Sequence, residues 1–224
     1  MRFIKYGYIS YSIHGQISFG QVDLHGLREP LKNIKMAKVD QKTNRQKLIK
    51  ELLKTIEPDP DREGLSETPR RVDEAFKKLF SGYKENPKKL LKTFDGENYD
   101  EMIVLKDIEF YSMCEHHMLP FFGKVHIGYI PNKKIIGLSK IPRLVEIFAR
   151  RLQNQERLTT QIADALNDML KPKGVAVIIT AKHLCMAMRG VEKQSSTVTT
   201  SALKGLFKKN DSTRGEFLRL VERD

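Results

Sequence analysis

Cys114, Glu115, His116 and His117 put a thiol, a carboxylate and two imidazoles in consecutive positions, within Ser112-Met-Cys-Glu-His-His-Met-Leu-Pro120. Packing alone gives no reason for such a density of metal-capable side chains. A borderline-soft ion such as zinc takes thiolate and imidazole together, and Cys-x-x-His is a spacing that one loop can wrap around it. The chain has only two cysteines, and the second, Cys185, lies in His183-Leu-Cys-Met-Ala-Met-Arg189 after the β-branched run Val175-Ala-Val-Ile-Ile-Thr-Ala181. That run follows Pro172-Lys-Gly174 and predicts a strand, whose side chains alternate between faces, so His183, Cys185 and Arg189 are expected on one face. Cys114, His117 and Cys185 then make three ligands and leave a tetrahedral ion one position for water. That is the pattern of a catalytic zinc site, because structural zinc usually has four protein ligands. A Cys114–Cys185 disulfide is the alternative, and it fits poorly with a chain that carries no secretory signature and is expected in the reducing cytoplasm.

A second cluster suits an anion. Ser139-Lys-Ile-Pro-Arg143 places Lys140 and Arg143 three apart in the first turn of a predicted helix, where both cations and free backbone N–H groups favour phosphate. Arg189 adds a third cation near the metal ligands, which suggests a polyphosphate within reach of the ion. Glu156, at the start of another predicted helix, either complements that helix's dipole or accepts two adjacent N–H donors from a purine edge. His183, beside a ligand, has an unperturbed pKa suited to proton transfer in either direction, whereas His126 lies mid-strand with no such neighbour and is read as structural.

The elements that must position these residues follow from periodicity. Apolar residues at helical spacing predict an amphipathic helix over 43–56, and Thr68-Pro69 looks like an N-cap with proline at N1 for a helix reaching Phe80. Arg70 and Arg71 in its first turn oppose the dipole, and a nearby anion would offset them. Strands are expected over 102–105, 108–111, 121–130 and 135–138, helices over 140–151 and 156–170, and strands again over 175–181 and 195–201, followed by a polar tail. The metal loop thus joins two strands of an antiparallel sheet. The fold class expected is α+β, with a helical region over 36–95 preceding a catalytic domain over 96–224. Residues 1–35 differ in composition and read as an appended segment, with Met36 an alternative start.

The 224 residues carry a formal charge of +12, and the part beyond residue 35 still carries +9, since the first 35 contain five basic and two acidic residues. A basic body implies an anionic partner. No apolar run approaches the ~18 residues that span a bilayer, so no membrane partner is expected. A nucleic-acid-binding module with a structural metal would need a fourth ligand and an arginine and aromatic stripe, and the sequence has neither.

Four separated motifs resemble the GTP cyclohydrolase I family: Cys114-Glu-His-His117 with Leu119-Pro-Phe121, Gly137-Leu-Ser-Lys-Ile-Pro-Arg143, Gln155-Glu-Arg-Leu-Thr159, and His183-Leu-Cys-Met-Ala-Met-Arg-Gly190. The resemblance runs from about Thr43 to the C-terminus and includes Thr68-Pro-Arg-Arg71. It implies a tunnelling fold, an antiparallel sheet with two helices that assembles into a toroidal homodecamer with active sites shared between subunits. It implies hydrolysis of GTP to 7,8-dihydroneopterin triphosphate and formate, the first step of folate or tetrahydrobiopterin synthesis. In that reading Cys114, His117 and Cys185 hold Zn2+, Gln155 and Glu156 read guanine, Ser139, Lys140, Arg143 and Arg189 hold the triphosphate, and His116 and His183 move protons. A nitrile reductase of the same fold is the nearest rival, and its cysteine nucleophile conflicts with two cysteines both committed to a metal.

Overall fold

The computed structural model describes residues 41–222, apart from residue 91. The appended segment over 1–35 and the alternative start at Met36 lie outside the described residues. Helix α1 (Gln41–Ile56) is followed by α2 (Thr68–Leu79) and the single turn α3 (Pro87–Leu90). In α2, Pro69 sits in the first turn, where its missing N–H leaves no helical bond unmade. Thr68 is already helical; Glu67 holds the N-cap position and makes no side-chain cap bond. The adverse charge of Arg70 is met by carboxylates of the chain itself, Glu67 at 2.6 Å and Glu74 at 3.1 Å.

Five strands form the main sheet, in the order β5 (Leu152–Gln153), β2 (Ile103–Cys114), β3 (Pro120–Ile130), β6 (Gly174–His183) and β7 (Val198–Gly205). All neighbours run antiparallel except β5, which lies parallel to β2 over Met113 and Cys114. The strand expected over 135–138 is shorter and lies elsewhere: β4 (Lys134–Ile136) pairs with β1 (Thr93–Asp95) in a separate two-stranded sheet. A bulge in β2 carries Asp107 into the left-handed region (φ 55°), and His126 Nδ1 accepts the Asp107 N–H at 3.3 Å, a structural use of that histidine.

Helices α4 (Lys140–Ala149) and α5 (Gln155–Leu170) cover one sheet face. Their apolar stripes, Ile141, Leu144 and Val145 with Leu158, Ile162 and Leu166, are fully buried against Phe121, Val125, Ile127, Val177 and Ile179. Two short helices, α6 (Leu184–Ala187) and α7 (Leu206–Lys209), precede α8 (Asp211–Glu222). The polar tail is therefore helical. Phe207 and Phe217 stack edge to face at 5.6 Å and join Ile130 and Ala176 in a second apolar cluster. Gly128 makes room for it: a Cβ there would meet the Phe217 ring at 2.7 Å.

Asp73 on α2 is fully buried and binds Arg45 of α1 at 2.5 Å and Lys77 at 3.3 Å. Burial pushes its carboxyl pKa up, but Arg45 and Lys77 outweigh that and hold it below the ordinary value. A depressed folded-state pKa contributes stability above the unfolded value and loses it as pH falls through the folded one. Asp73→Asn is therefore expected to lower Tm at neutral pH, with the gap to wild type closing once the pH falls below about 4; thermal unfolding across pH measures it. A gap independent of pH would show that the charge of Asp73 is not what stabilises α1 against α2.

Candidate metal centre

Strand β2 ends at Cys114, and the chain turns tightly there. Cys114 donates its N–H to Leu119 O at 2.9 Å, and its carbonyl accepts from His117 at 3.4 Å and Met118 at 2.8 Å. Met118 takes a left-handed conformation (φ 53°) to bring the chain back into β3. This geometry holds the Cys114 thiol buried and presents His117 beside it, with Nδ1 3.8 Å from Sγ.

Cys185 arrives differently from the strand alternation expected for it. Strand β6 stops at His183, and Cys185 lies in the one-turn helix α6, so the two are on successive elements rather than on one strand face. The turn still delivers the thiol: the ligand atoms of Cys114, His117 and Cys185 all lie within 4.8 Å of one another. Ligand bonds of about 2.0–2.3 Å in tetrahedral geometry separate ligand atoms by roughly 3.5–3.8 Å, so only a small contraction around an ion is needed. Burial pushes the Cys185 thiol pKa up, and Cys114 adds to it. A divalent ion would reverse this, since a coordinating thiol is deprotonated.

The loop is fastened to the start of α5. Glu115 donates its backbone N–H to Gln153 O at 2.9 Å, and its carboxylate accepts from Arg157 Nη2 and, at 3.3 Å, from Asn154 Nδ2. Arg157 also donates to Gln153 Oε1 at 2.9 Å and holds the Glu115 carboxyl below the usual carboxylate range. Asn154 caps α5 by accepting the Arg157 N–H at 2.7 Å. Helix α5 starts at Gln155, one residue before the expected 156, and Asn154 before a periodic apolar run is the N-cap signal for it.

His183 pairs with Phe121 across the β3/β6 ladder, and its ring lies parallel to the phenylalanine at 4.7 Å. It is half-buried; burial pushes its pKa down, and nearby Glu156 pulls the other way. Gln155, expected to contact substrate, has a buried side chain engaged at both ends: Oε1 meets His183 Nε2 at 2.8 Å, and Nε2 reaches Ile179 O, Val198 O and Thr200 Oγ1 at 2.9–3.1 Å. Glu156 is exposed in the first turn of α5. His116 is exposed beside Glu115, its Nε2 3.8 Å from Oε1. Arg189 Nη1 lies 3.2 Å from His117 Nε2. These residues form one group at the end of the sheet where β2 stops and β3 begins.

The remaining candidates are not brought into that group. Ser139, Lys140 and Arg143 stand at the N-terminal end of α4, where Ser139 makes no side-chain cap bond. The ten-residue helix is about 15 Å long. Its opposite end leads directly into β5, which pairs with Met113 and Cys114. Within one chain the anion cluster therefore lies about a helix length from the metal loop.

Two thiols and an imidazole with an open position, set among proton-active and cationic side chains on an α+β scaffold, make the site of a metal-dependent enzyme. Comparison with known proteins specifies which. A profile of the GTP cyclohydrolase I family matches residues 45–222. A GTP cyclohydrolase 1 of Chlorobium chlorochromatii (strain CaD3) is 58% identical over 181 residues, covering 80% of this chain and 81% of that one. That of Chlorobaculum tepidum is 61% identical over 171 residues, covering 76% of each, and that of Wolinella succinogenes 56% over 180 residues, covering 80% and 96%. The chain belongs to the GTP cyclohydrolase I family and is an enzyme of that activity.

Because Arg157 and Glu115 hold the segment between two candidate ligands, Arg157→Ala is expected to weaken binding of a divalent metal about 10–100-fold while leaving Cys114, His117 and Cys185 in the sequence. Competition against a chromophoric chelator measures it. Unchanged affinity would show that the loop is shaped by its backbone bonds alone.

Proposed function

We propose that the chain converts GTP to 7,8-dihydroneopterin triphosphate and formate, the entry reaction of folate or tetrahydrobiopterin synthesis, with zinc as its metal. The observation that carries this reading is the convergence of Cys114, His117 and Cys185 beside His183. Cys114, His117 and Cys185 would hold zinc, which would supply a Lewis acid able to acidify water to a pKa of about 7. His183 protonates N7 of the purine, which makes C8 electrophilic, and later takes part in the proton transfers of ring opening. His116, exposed on the same loop, serves the later acid–base steps in which the ribose rearranges and closes on the freed amines. Glu156 accepts two adjacent N–H donors of the guanine edge.

Ser139, Lys140, Arg143 and Arg189 bind the triphosphate. The side chains of Lys140 and Arg143, at the start of α4, have no hydrogen-bond or ion-pair partner among the described residues, as suits cations reserved for a ligand. Their distance from the metal loop within one chain supports an active site completed by a second subunit. So does α1, whose apolar stripe Leu48, Leu52 and Ile56 is 58–69% exposed. Strand β7 is a sheet edge that a neighbour can extend. The assembly proposed is the tunnelling-fold homodecamer, and no helix among the described residues is long and apolar enough to cross a membrane.

Formate release and the dihydropterin absorbance, followed with GTP and purified protein, test the reaction: turnover is expected to vanish on chelation and return with zinc. Turnover surviving complete metal removal would refute the metal role, and zinc-loaded, assembled protein without turnover would refute the reaction. Sharing between subunits has its own test. His183→Ala and Arg143→Ala chains, each expected to be inactive alone, should regain activity when co-assembled, because some sites then combine an intact His183 with an intact Arg143. Mixed assemblies no more active than either parent would place both residues in one subunit's site.

A further inference from the structure

We infer that Gln155 is a positioning residue for His183, holding it as the Nε2–H tautomer so that Nδ1 is the one ring nitrogen free to exchange a proton, and that its side chain does not read the substrate. The argument is one of donors and acceptors. Ile179 O and Val198 O can only accept, and both lie within 3.0 Å of the same end of the Gln155 amide. That end must be the NH2 group, which fixes the orientation of the amide. Oε1 therefore faces His183 Nε2 at 2.8 Å, and because a carbonyl oxygen only accepts, Nε2 must carry hydrogen. The other neutral tautomer would set two lone pairs against each other in a buried place, an arrangement costly at low dielectric.

The surroundings leave this amide little freedom. Thr200 Oγ1, 3.1 Å from Nε2, is itself 2.7 Å from Thr159 Oγ1, and Thr159 donates to the Gln155 carbonyl at 2.6 Å or shares its proton with Thr200. Gln155 and Thr159 are each 1% exposed. The parallel Phe121 ring fixes the plane of His183, and Gln155 fixes its rotation within that plane. A ring constrained in both ways presents Nδ1 in a single direction, as a catalytic acid requires. The catalytic part of this inference rests on the role given to His183 above; the tautomer does not.

The tautomer is read from the solid-state 15N spectrum of zinc-loaded, histidine-labelled protein at alkaline pH, with the His183 signals identified by their loss in His183→Ala. Protonated Nε2 with bare Nδ1 is expected; an Nδ1–H ring, or a mixture, overturns the inference. The role is tested with Gln155→Met, which keeps length and removes every donor and acceptor. Turnover is expected to fall about 100-fold, the scale of one acid–base contribution, with zinc content unchanged. The KM for GTP should stay within about twofold. A loss carried by KM, or no loss, overturns it. If Gln155→Met does not fold, the wild-type spectrum decides alone. Wild-type protein that fails to turn over GTP removes the proposed reaction, while the spectrum still decides the tautomer.

Discussion

The pairing of β3 with β2 on one side and β6 on the other is the constraint on which the site depends. Strand β3 pairs with β2 from Ile103↔Tyr129 to Met113↔Pro120, with one register shift at the bulge between Leu105 and Ile108, and with β6 from Phe121↔His183 to Ile130↔Gly174. The end of β2, the start of β3 and the end of β6 therefore coincide, and the two cysteines, 71 positions apart in the chain, meet there. A slip of one residue would exchange the faces of a strand. Phe121, Val125, Ile127 and Tyr129 are fully buried on one face of β3, so that slip would expose four large apolar side chains. The hydrophobic pattern of β3 thus sets the geometry of a metal site to which β3 gives no ligand.

What was legible in the sequence was what is local. Cys114 and His117 are three residues apart in one loop, and the helices over 140–151 and 156–170 announce themselves by a 3.6-residue apolar period. Cys185 was legible as a candidate ligand because it is the only other thiol, but its path was not: nothing in the β-branched run marks the residue at which β6 gives way to a helical turn. The partnership of Glu115 with Arg157 joins residues 42 apart, and that of Gln155 with Thr200 joins residues 45 apart. Neither spacing carries a periodic signal. α8 was hidden for a similar reason, since Phe217 lies among charged residues and its partners, Ile130 and Ala176, belong to strands formed far earlier in the chain.

The metal-capable residues and the anion cluster fall on different parts of the fold. Residues from α5, α6 and the metal loop gather at one end of the sheet, while Ser139, Lys140 and Arg143 belong to the start of α4, reached only after the chain has run the length of β3 and through β4. Helix direction is what separates them. α4 runs back towards β5, so its N-terminal N–H groups, the favourable end for phosphate, point away from the metal loop of their own chain.

Arg189 lies against one residue of the candidate metal triad. Its guanidinium lies 3.2 Å from His117 Nε2, and a guanidinium only donates, so in this arrangement Nε2 accepts. His117 presents Nδ1 to Cys114. Once Nδ1 ligates an ion, the remaining ring proton belongs on Nε2, and the contact becomes donor against donor. The ion's own charge adds repulsion to the guanidinium in the same direction. An ion bound at Nδ1 would therefore disfavour the Arg189–His117 contact.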